Sequence, residues 1–439
     1  MGTPKDRVKF NVGGRIFETT ATTLAVASKN SLFGAMLDEN WNLLSNSAIT
    51  EHFIDRNPDC FGVLLDLLRT GELYIPPNID KKLLYREAEY YGILDHVRSA
   101  TWGPLDGNRL QLARSITDRS DGDSKVSPAI QAGPNGWCSV AQGNVVRVYN
   151  WMLEEHPIIH FEHDNVNDVC WVDSENIVVS STKKLDSGGM GLFSASTGKS
   201  KYKFQVTNKL SGLAPFATAG ALEFGSNYKL FSSCEGTKGN RGIGVWDLVT
   251  GKLIDFLRRP LYCKHVKAGK LQWLHDTNCL MVLYFGLMND IRLFDFRENA
   301  MVWSLAMNCK ENLDNMTDAI VIEESSSICV VDWYESLGFM DLRSTDKSVN
   351  WRKSEKVDNV EFDGLSSFSR LAFHKGQLFS SMKDRISVYC GSDWLQTSKF
   401  RQGHGGKIID FSIGGDRLFA LHNKENVIEV WETPRPPII

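Results

Sequence analysis

The chain of 439 residues contains no run of about 18 apolar residues, the length that a membrane-spanning helix needs. Its opening MGTPKDRVKF has no apolar stretch of the secretory kind, so the expected location is the cytoplasm or the nucleus. An excess of one charge is also missing. With 49 Lys and Arg against 53 Asp and Glu, there is no electrostatic reason to expect nucleic acid or an acidic membrane surface as a partner. Cysteine occurs nine times (60, 138, 170, 234, 263, 279, 309, 329 and 390) but never as C-x-x-C, which favours separate, reduced, buried thiols over zinc knuckles or disulfides. Neither a G-x-x-x-x-G-K-[ST] phosphate loop, nor G-x-G-x-x-G, nor a G-x-S-x-G elbow occurs.

What polar chemistry remains is weak. His156, His160 and His163 in HPIIHFEH would share a face only on a helix, which Pro157 opposes; on a strand His163 points away from the other two. The pairs Glu154-Glu155 and Glu323-Glu324 are adjacent, whereas paired acid/base catalysis needs carboxylates facing each other across a cleft. Serines near His404 have no acid partner in a recognisable order. No catalytic residue, cofactor or metal ligand is therefore predicted.

What is present begins with FNVGGRIFETT. Val8, Phe10 and Val12 alternate with polar residues, then Gly13-Gly14 precedes a second alternating run. Two period-2 runs joined by Gly-Gly predict a hairpin, because its turn requires positive φ. In NPDCFGVLLDLLRTG, Phe61, Leu64, Leu65 and Leu68 stand at i, i+3, i+4 and i+7, with Asn57 as cap, Pro58 in the first turn and Gly71 as stop. A second helix follows Asp80, with Leu84, Ala88 and Tyr91 as its stripe and Gly92 as its end. Between them ELYIPP is expected as a short strand stopped by prolines.

In collinear order, VKFNVGGRIFETT, TTL, SLFGAML, FIDRNPDCFGVLLDLLRTGEL and LLYREAEYYGI resemble the BTB/POZ domain of the potassium-channel tetramerisation (KCTD) type. The resemblance implies an α+β domain at 5–98 that self-associates as a tetramer or pentamer. Channel versions hold zinc between subunits with a histidine and clustered cysteines; here His96 has no cysteine neighbour and Cys60 stands apart, so no metal is expected.

Residues 99–127 read as a linker, solvated from 117 onward, with one alternating run, RLQLARSI at 109–116. Beyond it a strand ending in an aromatic residue or Met recurs, marked by Tyr149, Phe193, Trp246, Phe294, Met340, Tyr389 and Trp431. The spacings of 44, 53, 48, 46, 49 and 42 residues approach the period of a four-stranded propeller blade, and seven copies predict an all-β seven-bladed propeller at 128–434. The last copy, from Gly403-His404 to Trp431-Glu432, is similar to a WD repeat. That copy ends in WETPRPPII, whose prolines forbid a further ladder strand, so RLQLARSI is expected to supply the missing outer strand.

The expected fold is thus multidomain, an α+β BTB/POZ domain followed by a propeller. The resemblance implies a non-enzymatic substrate adaptor of a cullin-3 ubiquitin ligase, with the BTB domain binding cullin-3 and the propeller binding a protein client. An oligomeric scaffold without cullin is the alternative. Leu37, Asp38 and Trp41 in SLFGAMLDENW are the expected cullin contacts.

Overall fold

The structure, a computed structural model, describes residues 7–435 apart from 38–51, 118–128, 162–164, 182–188, 206–215, 237–240, 259–266, 286–288, 299, 306–314, 346–347, 353–368, 402–404 and 425. It separates into two compact units, with breaks between Arg109 and Leu110 and between Trp431 and Glu432.

In the first unit, β1 (Arg7–Val12) and β2 (Arg15–Thr20) form the antiparallel hairpin, closing at Val12 opposite Arg15. Gly13 at φ 54° and Gly14 at φ 88° make its two-residue turn, as strand twist demands. A Cβ on Gly13 would meet the Arg56 carbonyl oxygen at 2.6 Å, so space as well as φ selects glycine there. The short helix α1 (Ala21–Leu24) and α2 (Leu32–Leu37) follow, and β3 (His52–Ile54) lies parallel to β1.

Helix α3 (Pro58–Thr70) starts where the Asn57 side chain accepts the Asp59 and Cys60 N–H groups, and stops at left-handed Gly71. Its apolar stripe is buried, Phe61, Leu64, Leu65 and Leu68 included. Helix α4 (Lys81–Tyr90) is capped by Asp80. Phe10, Phe33, Phe61 and Tyr91 meet at the centre, with Phe33 stacked on Tyr91 at 5.4 Å and 7°.

The strand expected at ELYIPP does not form; residues 72–77 run irregularly. Pro76 and Pro77 bring no N–H, and the sheet β2-β1-β3 offers them no partner. The alternation has another cause, since Leu73 and Ile75 pack onto the helical core from a loop. Helix α5 (Leu94–Thr101) runs past residue 98. Beyond it, Gly103 and Asp106 N–H groups donate to the Thr433 carbonyl and hydroxyl at 2.9 and 2.8 Å, and Arg109 donates to the Pro434 carbonyl. The proline-rich end thus finds acceptors and donors in a loop instead of a ladder.

Among the described residues, the second unit contains seven four-stranded sheets. Blades 1 to 6 are continuous in sequence, at 129–160, 166–203, 216–258, 267–304, 316–352 and 371–401. Blade 7 takes three strands from 408–432 and its outer strand, β4 (Gln111–Thr117), from upstream. First strands of successive blades adjoin around the whole ring, blade 7 meeting blade 1. All seven residues that marked the repeat lie on third strands, the layer with a neighbour on both sides in its own sheet. The cores lie between blades: Trp246 of blade 3 packs with Phe204 and Leu192 of blade 2, and Val430 of blade 7 with Val140 of blade 1.

Candidate functional site

Pairing of the first strand with the second slips in five blades; blade 3 slips twice, and in blades 2, 4, 5 and 7 the first strand carries one extra residue, Asn167, Gly269, Thr317 and Ile409. A bulge of this kind re-aims the next side chain. Those next residues are Asp168, Lys270, Asp318 and Asp410, and all four line a central cavity of about 420 Å³.

The three aspartates do the same work at different seams. Asp168 accepts the N–H of Val169 in its own strand and of Leu222 in blade 3, both at 2.8 Å. Asp318 accepts from Ala319 and from Leu371 of blade 6, again at 2.8 Å. Asp410 accepts from Phe411 and, across the closing seam, from Ile130 of blade 1 at 3.1 Å. Each carboxylate therefore ties two inner strands together through their backbones. Two residues further along, a second polar layer repeats the device: Glu223 accepts the Trp273 N–H at 3.2 Å, Gln272 exchanges two bonds with Val321, and Ser412 accepts from Ala132.

Charge is distributed unevenly around the cavity. Lys270 places its Nζ 2.8 Å from both oxygens of Asp318, and the Arg370 Nε lies 3.8 Å from Asp410. Burial pushes the Asp168 carboxyl up to about 6. Burial, with Asp168 adding its charge, pushes Glu223 up to about 8. Asp410 is raised as well, chiefly by burial, while Arg370 opposes that rise.

Comparison with known proteins places this arrangement. Residues 118–433 match the family described as At2g24240-like, C-terminal beta propeller, and residues 8–100 match the BTB/POZ domain. The chain belongs to the At2g24240-like family. Within or near that family, BTB/POZ domain-containing proteins At4g30940 and At2g24240 of Arabidopsis thaliana are each 53% identical over 449 residues, covering both chains in full. The BTB/POZ domain-containing protein KCTD17 of Homo sapiens is 37% identical over 87 residues, 20% of this chain and 27% of that one. A chain from a crystal structure of the mitotic checkpoint complex shares the propeller fold, with a TM-score of 0.52 and 14% identity over 75% of this chain and 93% of that chain.

For this member of the At2g24240-like family, the residues singled out by sequence are dispersed. Leu37 is the last residue of α2, while Asp38 and Trp41 lie outside the described residues. His156 stacks on Trp137 at 4.8 Å with its Nδ1 3.1 Å from the Ser196 carbonyl; His160 is exposed; His163 lies outside the described residues. Glu155 pairs with Arg147, and Glu323 accepts the His275 and Asp276 N–H groups. The channel residues were missed by sequence reasoning. Their one shared signal is an aspartate followed by an apolar residue near the start of the first strand, in Asn167-Asp168-Val169, Thr317-Asp318-Ala319 and Ile409-Asp410-Phe411.

Proposed function

We propose that the chain is a substrate adaptor of a cullin-3 ubiquitin ligase. Its BTB unit, of KCTD type, self-associates as a tetramer or pentamer and binds cullin-3; its propeller, read as WD-type, binds a protein client; the chain itself catalyses nothing. BTB domains oligomerise and propellers bind proteins, and the single observation that carries the proposal is that one chain joins both. Likeness of the BTB segment to KCTD17 supports the subtype. Leu37, Asp38 and Trp41 are the proposed cullin contacts. Expression in the cytoplasm or nucleus, where cullin ligases act on soluble clients, belongs to the same reading.

Co-purification of cullin-3 with the full chain tests it. Asp38→Lys combined with Trp41→Ala should leave the oligomer and the client in place while cullin-3 is lost. A second reading, an oligomeric scaffold without cullin, draws on one feature. Cullin-binding BTB domains of other subfamilies often carry a hydrophobic-x-Glu element after the second helix, and here Trp41-Asn42-Leu43 stands there without the acid. A chain that keeps its client and its oligomer yet never retains cullin-3 is that scaffold.

A further inference from the structure

We propose that the propeller channel receives one cationic side chain, an arginine or lysine presented by the client, between Asp168 of blade 2 and Glu223 of blade 3. The proposal rests on reading the propeller as the client-binding unit.

The channel lining carries four carboxylates, Asp168, Glu223, Asp318 and Asp410, against two cations, Lys270 and Arg370. Both cations face carboxylates on the far arc: Lys270 holds Asp318 at 2.8 Å and Arg370 lies beside Asp410. Asp168 and Glu223 have only backbone N–H donors, from Val169 and Leu222 and from Trp273, and among the described residues neither forms an ion pair. His374, the remaining titratable group of the lining, is held toward its neutral form by burial and by Lys375. The cavity is therefore polarised: on one arc each cation sits beside a carboxylate, while Asp168 and Glu223 on adjacent blades of the other form no ion pair among the described residues and feel Arg370 and Lys270 only at longer range.

Its size selects the ligand further. About 420 Å³ is near the lower end for small-molecule pockets, room for one long side chain and too little for a folded segment. Ala221 occupies, in blade 3, the place that Asp168 and Lys270 hold in blades 2 and 4, so a methyl group stands in the lining between Asp168 and Glu223. Among the described residues no group of three or more His, Cys, Asp or Glu side chains converges as a metal site would, which favours an organic cation. An anion would compete with Asp318 for Lys270 and meet the charge of Asp410 beside Arg370. A guanidinium or ammonium instead supplies a counter-charge to half-buried Asp168 and lets half-buried Glu223 ionise beside it. Burial holds Glu223 largely protonated near pH 7, so entry of a cation expels a proton.

Titration calorimetry on the full chain tests this with N-acetyl-arginine amide, its uncharged citrulline counterpart, and a short arginine-containing peptide. The arginine probe should bind with proton release, seen as a heat that changes with the ionisation enthalpy of the buffer. The citrulline probe should bind at least about tenfold more weakly, as should the arginine probe to Asp168→Asn with Glu223→Gln. Ala221→Lys should supply the cation from within, raising the melting temperature and abolishing probe binding. Equal binding of charged and uncharged probes, no heat from the arginine probe or peptide up to about 10 mM, or Ala221→Lys that melts lower and still binds the probe would each overturn the proposal. Cullin-3 capture by the same variants separates the two readings, because it should persist whether or not the channel binds.

Discussion

The carboxylate of Asp318 accepts the Leu371 N–H at 2.8 Å across the seam between blades 5 and 6, while the same two oxygens hold Lys270 of blade 4. One side chain thus fastens three blades. Asp318 is 1% exposed, so removing it strands a lysine and the Ala319 and Leu371 N–H groups together. Asp318→Ala is expected to lower stability by about 3 kcal/mol, in the range for breaking a buried pair, and Asp318→Asn by less, since one acceptor oxygen remains. Urea unfolding followed by tryptophan fluorescence measures both.

Glu223 gives the fold a pH dependence of its own. Its pKa in the fold is raised from 4.5 to about 8, so the folded chain holds a proton that the unfolded chain releases earlier. Stability then falls as pH rises from about the unfolded value toward the folded one. Melting temperature should decline between pH 5 and 8 in the wild type, and Glu223→Gln should flatten that decline and be the more stable protein at pH 8.

His422 acts in the same sense through a different cause. It is fully buried, which lowers its pKa, but the Glu429 carboxylate at 3.2 Å, with the Gly406 carbonyl on the other ring nitrogen, outweighs burial, so its pKa is raised. Its contribution is complete below the unfolded value of a histidine and is lost as pH rises through the folded one. Glu429→Gln should remove this part of the pH slope and weaken blade 7, where Glu429 also accepts the Trp431 indole N–H at 3.1 Å.

Blade 7 depends on an outer strand, Gln111–Thr117, that precedes blade 1 in the sequence. Ile116 of β4 packs against the core shared by Val430 and Val140. A chain starting at Val126 should melt earlier or aggregate through its open sheet edge, compared with one starting at Leu105. Equal melting temperatures by differential scanning fluorimetry would contradict this role for β4.

The repeat was legible because its seven marker residues sit on third strands, Tyr149, Phe193, Trp246, Met340 and Trp431 buried and Phe294 and Tyr389 half-buried, so that a large apolar side chain recurs about once per blade. The BTB helices were legible for the same reason at period 3.6, with Asn57, Asp80 and Gly71 as their punctuation. Residues 72–77 misled because Leu73 and Ile75 alternate in a loop as they would in a strand. The channel was not legible. Asp168, Lys270, Asp318 and Asp410 share a place only by virtue of the extra residue before each, and a bulge is fixed by pairing with the second strand, not by local sequence. Their ion pairs also join residues 48 and 40 positions apart, beyond any local pattern.

The adaptor role is tested most directly by the affinity of the purified full chain for purified cullin-3, measured by calorimetry beside light scattering of the same sample. Adaptor function predicts an oligomer that binds cullin-3 with a dissociation constant of about a micromolar or tighter, and an Asp38→Lys, Trp41→Ala oligomer of the same size that does not bind. An intact wild-type oligomer that gives no heat with cullin-3 at concentrations of about 100 micromolar would contradict it.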